Sequence, residues 1–182
     1  MKALSGFSVC LTSAQRSTVA ILGRRAVLMV LAVFLLLPLM AGPTFAAGDS
    51  KVKDSMQALQ AATAALGKPK LVGDDLYFGT TKINGDFPVV DAIKTSHGGT
   101  ATLFAKKDAN FVRVSTNVMK EGQRAIGSVL DPAGPAYAAI KLGNAFYGTV
   151  NILGKPYDTG YEPIKTESGD IVGIYYVGYP IE

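Results

Sequence analysis

The chain has 182 residues, with 18 basic and 14 acidic side chains, one histidine, one cysteine and a formal net charge of +4. The positive excess sits in residues 1–46, which hold Lys2, Arg16, Arg24 and Arg25 and no acid, so that beyond them the balance is 14 to 14. Cys10 lies in the same segment, and the remainder therefore excludes disulfides, thiolate chemistry and thiolate metal sites, while its even charge gives no case for nucleic-acid binding.

Residues 26–40, AVLMVLAVFLLLPLM, are apolar throughout and follow those four cations, the layout of a secretory leader. Thr44-Phe45-Ala46 offers small residues to a signal peptidase, and cleavage after Ala46 is predicted. The alternative is an uncleaved anchor, although a span usually needs about 20 apolar residues and Pro38 interrupts this run. Arg24-Arg25 matches a twin-arginine signal only in part, since no Phe-Leu pair follows. The expected location is periplasmic or secreted, or tethered to the inner membrane if the leader stays. Residues 47–182 have the length of one domain.

Val52, Met56, Leu59, Thr63 and Leu66 recur at helical spacing over 49–66, predicting an amphipathic helix opened by Asp49 or Ser50 and closed by Gly67 and Pro69. Strands are then expected at Leu76–Ile83, Ala101–Lys106, Phe111–Asn117, Ala145–Leu153, Tyr157–Lys165 and Ile171–Tyr179, with a short one at Arg124–Leu130. Short helices are expected at Pro88–Thr95 and Pro132–Leu142, the second opened by a first-turn proline. The turns around Asp108-Ala109, Gly154-Lys155 and Gly169-Asp170 are short enough to make successive strands antiparallel. The fold class is α+β: an antiparallel sheet of five to six strands with a long N-terminal helix.

Alternation within the strands divides the sheet into two faces. One parity collects Val112, Val114 and Thr116, with Phe146, Val150 and Ile152, and is expected to meet the helix. The other collects Phe111, Arg113, Ser115 and Asn117, with Tyr147, Thr149 and Asn151. By periodicity alone that second face is either solvated or a pocket.

The run GGTATLF-(x)6-FVRVSTNV-(x)6-AIGSVL, followed by AYAAIKLGNAFYGTVNILGKPYDTGYEPI and SGDIVGIYYVG, resembles a single Cache sensor domain of the Cache 3/Cache 2 fusion type, as in the extracytoplasmic part of chemotaxis receptors and sensor kinases. The resemblance extends over the whole of 47–182. It implies a PAS-like sheet with the long helix on one face and a small-molecule pocket on the other, for a small organic acid or amino acid. It also implies that homodimers form along the first helix. Nothing after Tyr179 reads as a membrane span, so output is expected through a separate membrane receptor, kinase or transporter. A structural module that dimerises through its first helix without a ligand is the alternative.

Enzyme chemistry has little support. His97 stands without a second histidine, which excludes the common zinc arrangements, and His97-Gly98-Gly99 has no G-x-S-x-G nucleophile elbow to serve. Phosphate-loop motifs are absent, and no cofactor or metal is expected. Binding is better supported, because an arginine fork holds a carboxylate through two parallel hydrogen bonds. Arg113 and Arg124 are the candidates for that contact, with Ser115 and Asn117 as added donors and Tyr147, Tyr157 and Tyr161 as walls. The competing reading of Arg113 is a salt bridge to Asp158 or Glu162, or exposure to solvent.

Overall fold

The computed structural model describes residues 47–181. The leader expected over 1–46 lies outside the described residues. Among the described residues no helix is long and apolar enough to cross a membrane.

Helix α1 (Ala47–Ala64) follows the predicted stripe, burying Val52, Met56, Leu59 and Thr63 on one side together with Ser55. Burial of Met56 and Leu59 stabilises the fold by roughly 1.5–3 kcal/mol each. The apolar stripe that a helix-paired dimer would expose is thus occupied by the domain's own core. Three short strands follow as one small antiparallel sheet, β1 (Pro69–Val72), β2 (Asp75–Phe78) and β3 (Thr81–Lys82). The expected strand at 76–83 is therefore two strands joined at Gly79-Thr80, and β1 pairs with the first of them. Helix α2 (Pro88–His97) starts at the predicted proline and ends at Gly98, whose N–H donates to the Lys94 carbonyl.

The main sheet contains β4 (Thr100–Lys107), β5 (Asn110–Thr116), β8 (Phe146–Ile152), β9 (Lys155–Lys165) and β10 (Ile171–Pro180). Its order is β5-β4-β10-β9-β8, antiparallel throughout, with the last strand at the centre. Between β5 and β8 lie a small hairpin, β6 (Met119–Lys120) with β7 (Gln123–Arg124), and helix α3 (Pro135–Lys141). The predicted strand 124–130 is strand only at its start. Its remainder runs along β5, with Arg113 N donating to Ser128 O, Gly127 N to Arg113 O and Leu130 N to Phe111 O, and an antiparallel bridge at Val112 and Val129. Helix α3 begins at Pro135, three residues later than expected, because Asp131 closes a turn first: its carboxylate accepts from Ala133 N and its carbonyl from Gly134 N.

Both faces of the sheet are covered, so polarity does not distinguish them. One core joins α1, α2 and β2 to Ala101, Leu103, Ala105, Val114, Ile164, Tyr175 and Val177. The other joins Phe104, Phe111, Ile152, Tyr161, Ile174 and Tyr176 to Tyr137 and Ile140 of α3. The expected allocation of β8 is reversed: Phe146, Val150 and Ile152 face α3, and Tyr147 packs on the α1 side. Close approach of α1 is permitted by Gly160, where an added Cβ would lie 2.7 Å from the Tyr147 ring and 2.9 Å from Val52 Cγ1.

Candidate functional site

Strand β5 carries a bulge. Leu103 pairs with Ser115 but Phe104 pairs with Arg113, leaving Val114 as the additional residue. An extra residue breaks the alternation of side chains, so residues on its two sides no longer share the parity counted along the chain. Arg113 and Phe111 point to the α3 side, whereas Ser115 and Asn117 belong to the α2 side. Ser115 donates to the Asp86 carbonyl, and Asn117 donates to Val90 O at 2.5 Å while accepting from Ala101 N at 2.8 Å. Neither therefore lies beside Arg113.

Arg113 is 6% exposed and lines a cavity of about 250 Å³ with Tyr161, Ile152, Ala136, Ser128 and Asp131. Its guanidinium lies 5.2 Å from the centre of the Phe104 ring, and its buried Nε has no hydrogen-bond partner among the described residues. The ion pairs among the described residues include Lys68 with Glu167, Lys82 with Asp75, Lys107 with Asp74 and Arg124 with Asp91, and Arg113 belongs to none of these. The expected alternative partner Glu162 is occupied on the α1 side, accepting from Gln60 and Tyr147. Desolvation lowers the pKa of Arg113, opposed by the nearby Tyr176 and Tyr161. A guanidinium nevertheless stays charged at any physiological pH. A buried charge without a partner is costly.

The tyrosines divide between the two faces. Tyr161 lines the cavity and packs at a tilt against Tyr176 with ring centres 5.0 Å apart. Burial raises the hydroxyl pKa of both, that of Tyr176 to about 12. Tyr157 packs against the same core without lining the cavity. Tyr147 is on the other side, under the Lys53 ammonium and bonded to Glu162, and burial followed by that hydrogen bond raises its pKa.

Arg124 is engaged elsewhere. Its Nη1 and Nη2 each donate to an Asp91 carboxylate oxygen at 2.8 Å, and Nη1 also donates to Thr116 O at 2.6 Å. Phe87 lies beneath it at 4.3 Å, and the Asp91 bond raises its pKa. It fastens the β6–β7 hairpin to α2 and is not among the residues lining the Arg113 cavity.

Sequence reading missed Phe104, Ala136, Asp131, Val129, Ile152 and Leu153 around Arg113. A usable sign was Leu153-Gly154, a two-residue hairpin turn with leucine where asparagine is the favoured residue.

An α+β domain with a five-stranded antiparallel sheet, a helix across one face and a small cavity within the layer on the other is PAS-like. The family model of the Cache 3/Cache 2 fusion domain matches residues 45–182, and the chain belongs to that family. No curated protein matches the sequence. Solved structures similar in fold include the ligand-binding domain of the Campylobacter jejuni chemoreceptor Tlp3 in complex with L-valine, at 14% identity and a TM-score of 0.45, over 73% of this chain and 55% of that one. A second structure of that receptor's sensory domain has 15% identity and a TM-score of 0.44, over 73% and 56%. A protein described as methyl-accepting chemotaxis protein X has 16% identity and a TM-score of 0.40, over 73% and 61%. The chain thus spans between 55% and 61% of the length of these three chains.

Proposed function

We propose that the chain is an exported sensor module that binds a small carboxylate, free or as part of an amino acid, and acts through a separate membrane receptor, kinase or transporter. The observation that carries this reading is the buried Arg113, with an unbonded Nε and no ion-pair partner among the described residues, beside a cavity of about 250 Å³. That volume lies below the roughly 300–1,000 Å³ of pockets for drug-sized molecules, which favours a metabolite of a few heavy atoms. A carboxylate there meets a planar fork in a desolvated setting, where charge-assisted hydrogen bonds are about twice as strong as neutral ones. Tyr161 and Ile152 supply walls for the rest of the ligand, and Arg124 has a positioning role. Membership of a family of sensor domains supports the same reading.

A thermal-shift screen of two- to six-carbon carboxylates and amino acids against wild type and Arg113→Met tests it. At a ligand concentration 100 times Kd, binding stabilises by about 2.7 kcal/mol, which is several degrees of melting temperature. The expected result is such a shift in wild type and none in the variant. An equal shift in both removes Arg113 from the site, and no shift with any compound refutes the ligand class.

A further inference from the structure

Leu153 is the first of two turn residues between β8 and β9, with φ of 52°, and Gly154 follows at 92°. Hairpin turns with both central residues left-handed favour Asn-Gly, because a leucine Cβ is crowded in that conformation. The turn itself has no need of leucine: Asn151 Oδ1 accepts from Gly154 N at 2.7 Å, and Ile152 pairs with Lys155. The core has none either, since Leu153 is 48% exposed.

What Leu153 does is line the cavity of Arg113. Val129 lines it too, at 49% exposure, from the segment bridged to β5. Two half-exposed aliphatic side chains from separate elements therefore border the open part of a cavity whose buried part holds an unpaired cation. Their apolar surface faces water when the cavity is empty, and a ligand with an apolar body would cover it.

We propose that Leu153 is a specificity-determining residue of this site, closing with Val129 over the apolar body of a bound carboxylate and favouring branched or longer tails over short ones. The inference rests on the Arg113 reading above. Titration calorimetry with two size pairs, acetate with 3-methylbutanoate and glycine with L-leucine, tests it on wild type, Leu153→Asn and Arg113→Met. Asparagine suits the turn, so Leu153→Asn is expected to raise the ligand-free melting temperature by about 3 °C through relief of the left-handed strain. The same variant is expected to weaken the larger member of whichever pair binds by about tenfold or more, the range produced by a lost methyl or methylene contact in an apolar pocket. The smaller member keeps its affinity. Unchanged affinity for the larger member, an equal loss for both members, or a wild type without size preference overturns the inference while leaving the Arg113 reading intact. Wild type that binds none of the four overturns the size preference, and binding that survives Arg113→Met overturns the Arg113 reading together with the inference that rests on it.

Discussion

Arg113→Met replaces a buried cation with an unbranched apolar side chain of similar volume, and the ligand-free protein is expected to become more stable. Arg113 is 6% exposed, and among the described residues it lacks an ion-pair partner and its Nε lacks a hydrogen bond. Replacing buried charges by hydrophobic groups of like size stabilises other proteins by about 1–4 kcal/mol. Against this stands the contact with the Phe104 ring at 5.2 Å, which contributes about 0.5–2 kcal/mol as a cation–π interaction. The expected net gain is roughly 1–2 kcal/mol, or about 4–8 °C in melting temperature for a domain of this size. The assay is urea unfolding of both proteins after refolding from denaturant, which strips any co-purified ligand whose binding would raise the wild-type midpoint. The variant's midpoint should rise at unchanged slope. An unfolding free energy lowered by about 1 kcal/mol or more would show that Arg113 contributes to the fold through a partner, and the reasoning that leads to a ligand would fail.

Other expectations follow from the packing. Arg124→Gln removes a bidentate pair whose side chains are 30% and 44% exposed, so stability should fall by only about 1 kcal/mol, with carboxylate affinity unchanged; a loss of affinity comparable to that of Arg113→Met would place Arg124 at the ligand. Gly160→Ala forces a Cβ to 2.7 Å from the Tyr147 ring and 2.9 Å from Val52 Cγ1, and should destabilise by about 1–3 kcal/mol in urea unfolding; a neutral effect would mean that α1 shifts freely on the sheet. Burial raises the Tyr161 and Tyr176 pKa values, so the stability these groups lend is intact below the unfolded value near 10 and is lost as pH rises through their folded values. For Tyr176, held at about 12, that loss is on the order of 3 kcal/mol. Near-ultraviolet phenolate absorbance should therefore rise in a late step that coincides with unfolding, and a single early titration of all eight tyrosines near pH 10 would contradict the burial.

Helix α1 was legible because its stripe repeats at the helical period without interruption. The long strands were legible because turn residues bracket them. The turn at 131–134 was not, since Pro132 and Pro135 both suit a first helical turn and only the Asp131 bonds to Ala133 and Gly134 select the second. Site membership suffered more from one extra residue. Val114 bulges, and neither a glycine nor a proline marks it, so Ser115 and Asn117 were counted on the face of Arg113 when they belong to the other. In β8 the error has a different origin: with cores on both sides of the sheet, a face rich in Phe146, Val150 and Ile152 need not be the one under α1. Arg113 itself was legible as a misplaced charge in an apolar strand. Its lack of a partner was not, because partnering depends on which side chains the other strands deliver.

The central claim is that a carboxylate completes Arg113. Its most direct test is a crystal structure grown with the compound that gives the largest thermal shift. The account predicts carboxylate oxygens within about 3 Å of the Arg113 guanidinium nitrogens, with the remainder of the ligand against Tyr161, Ile152 and Leu153. A ligand bound elsewhere, with Arg113 paired to a protein carboxylate, would contradict it.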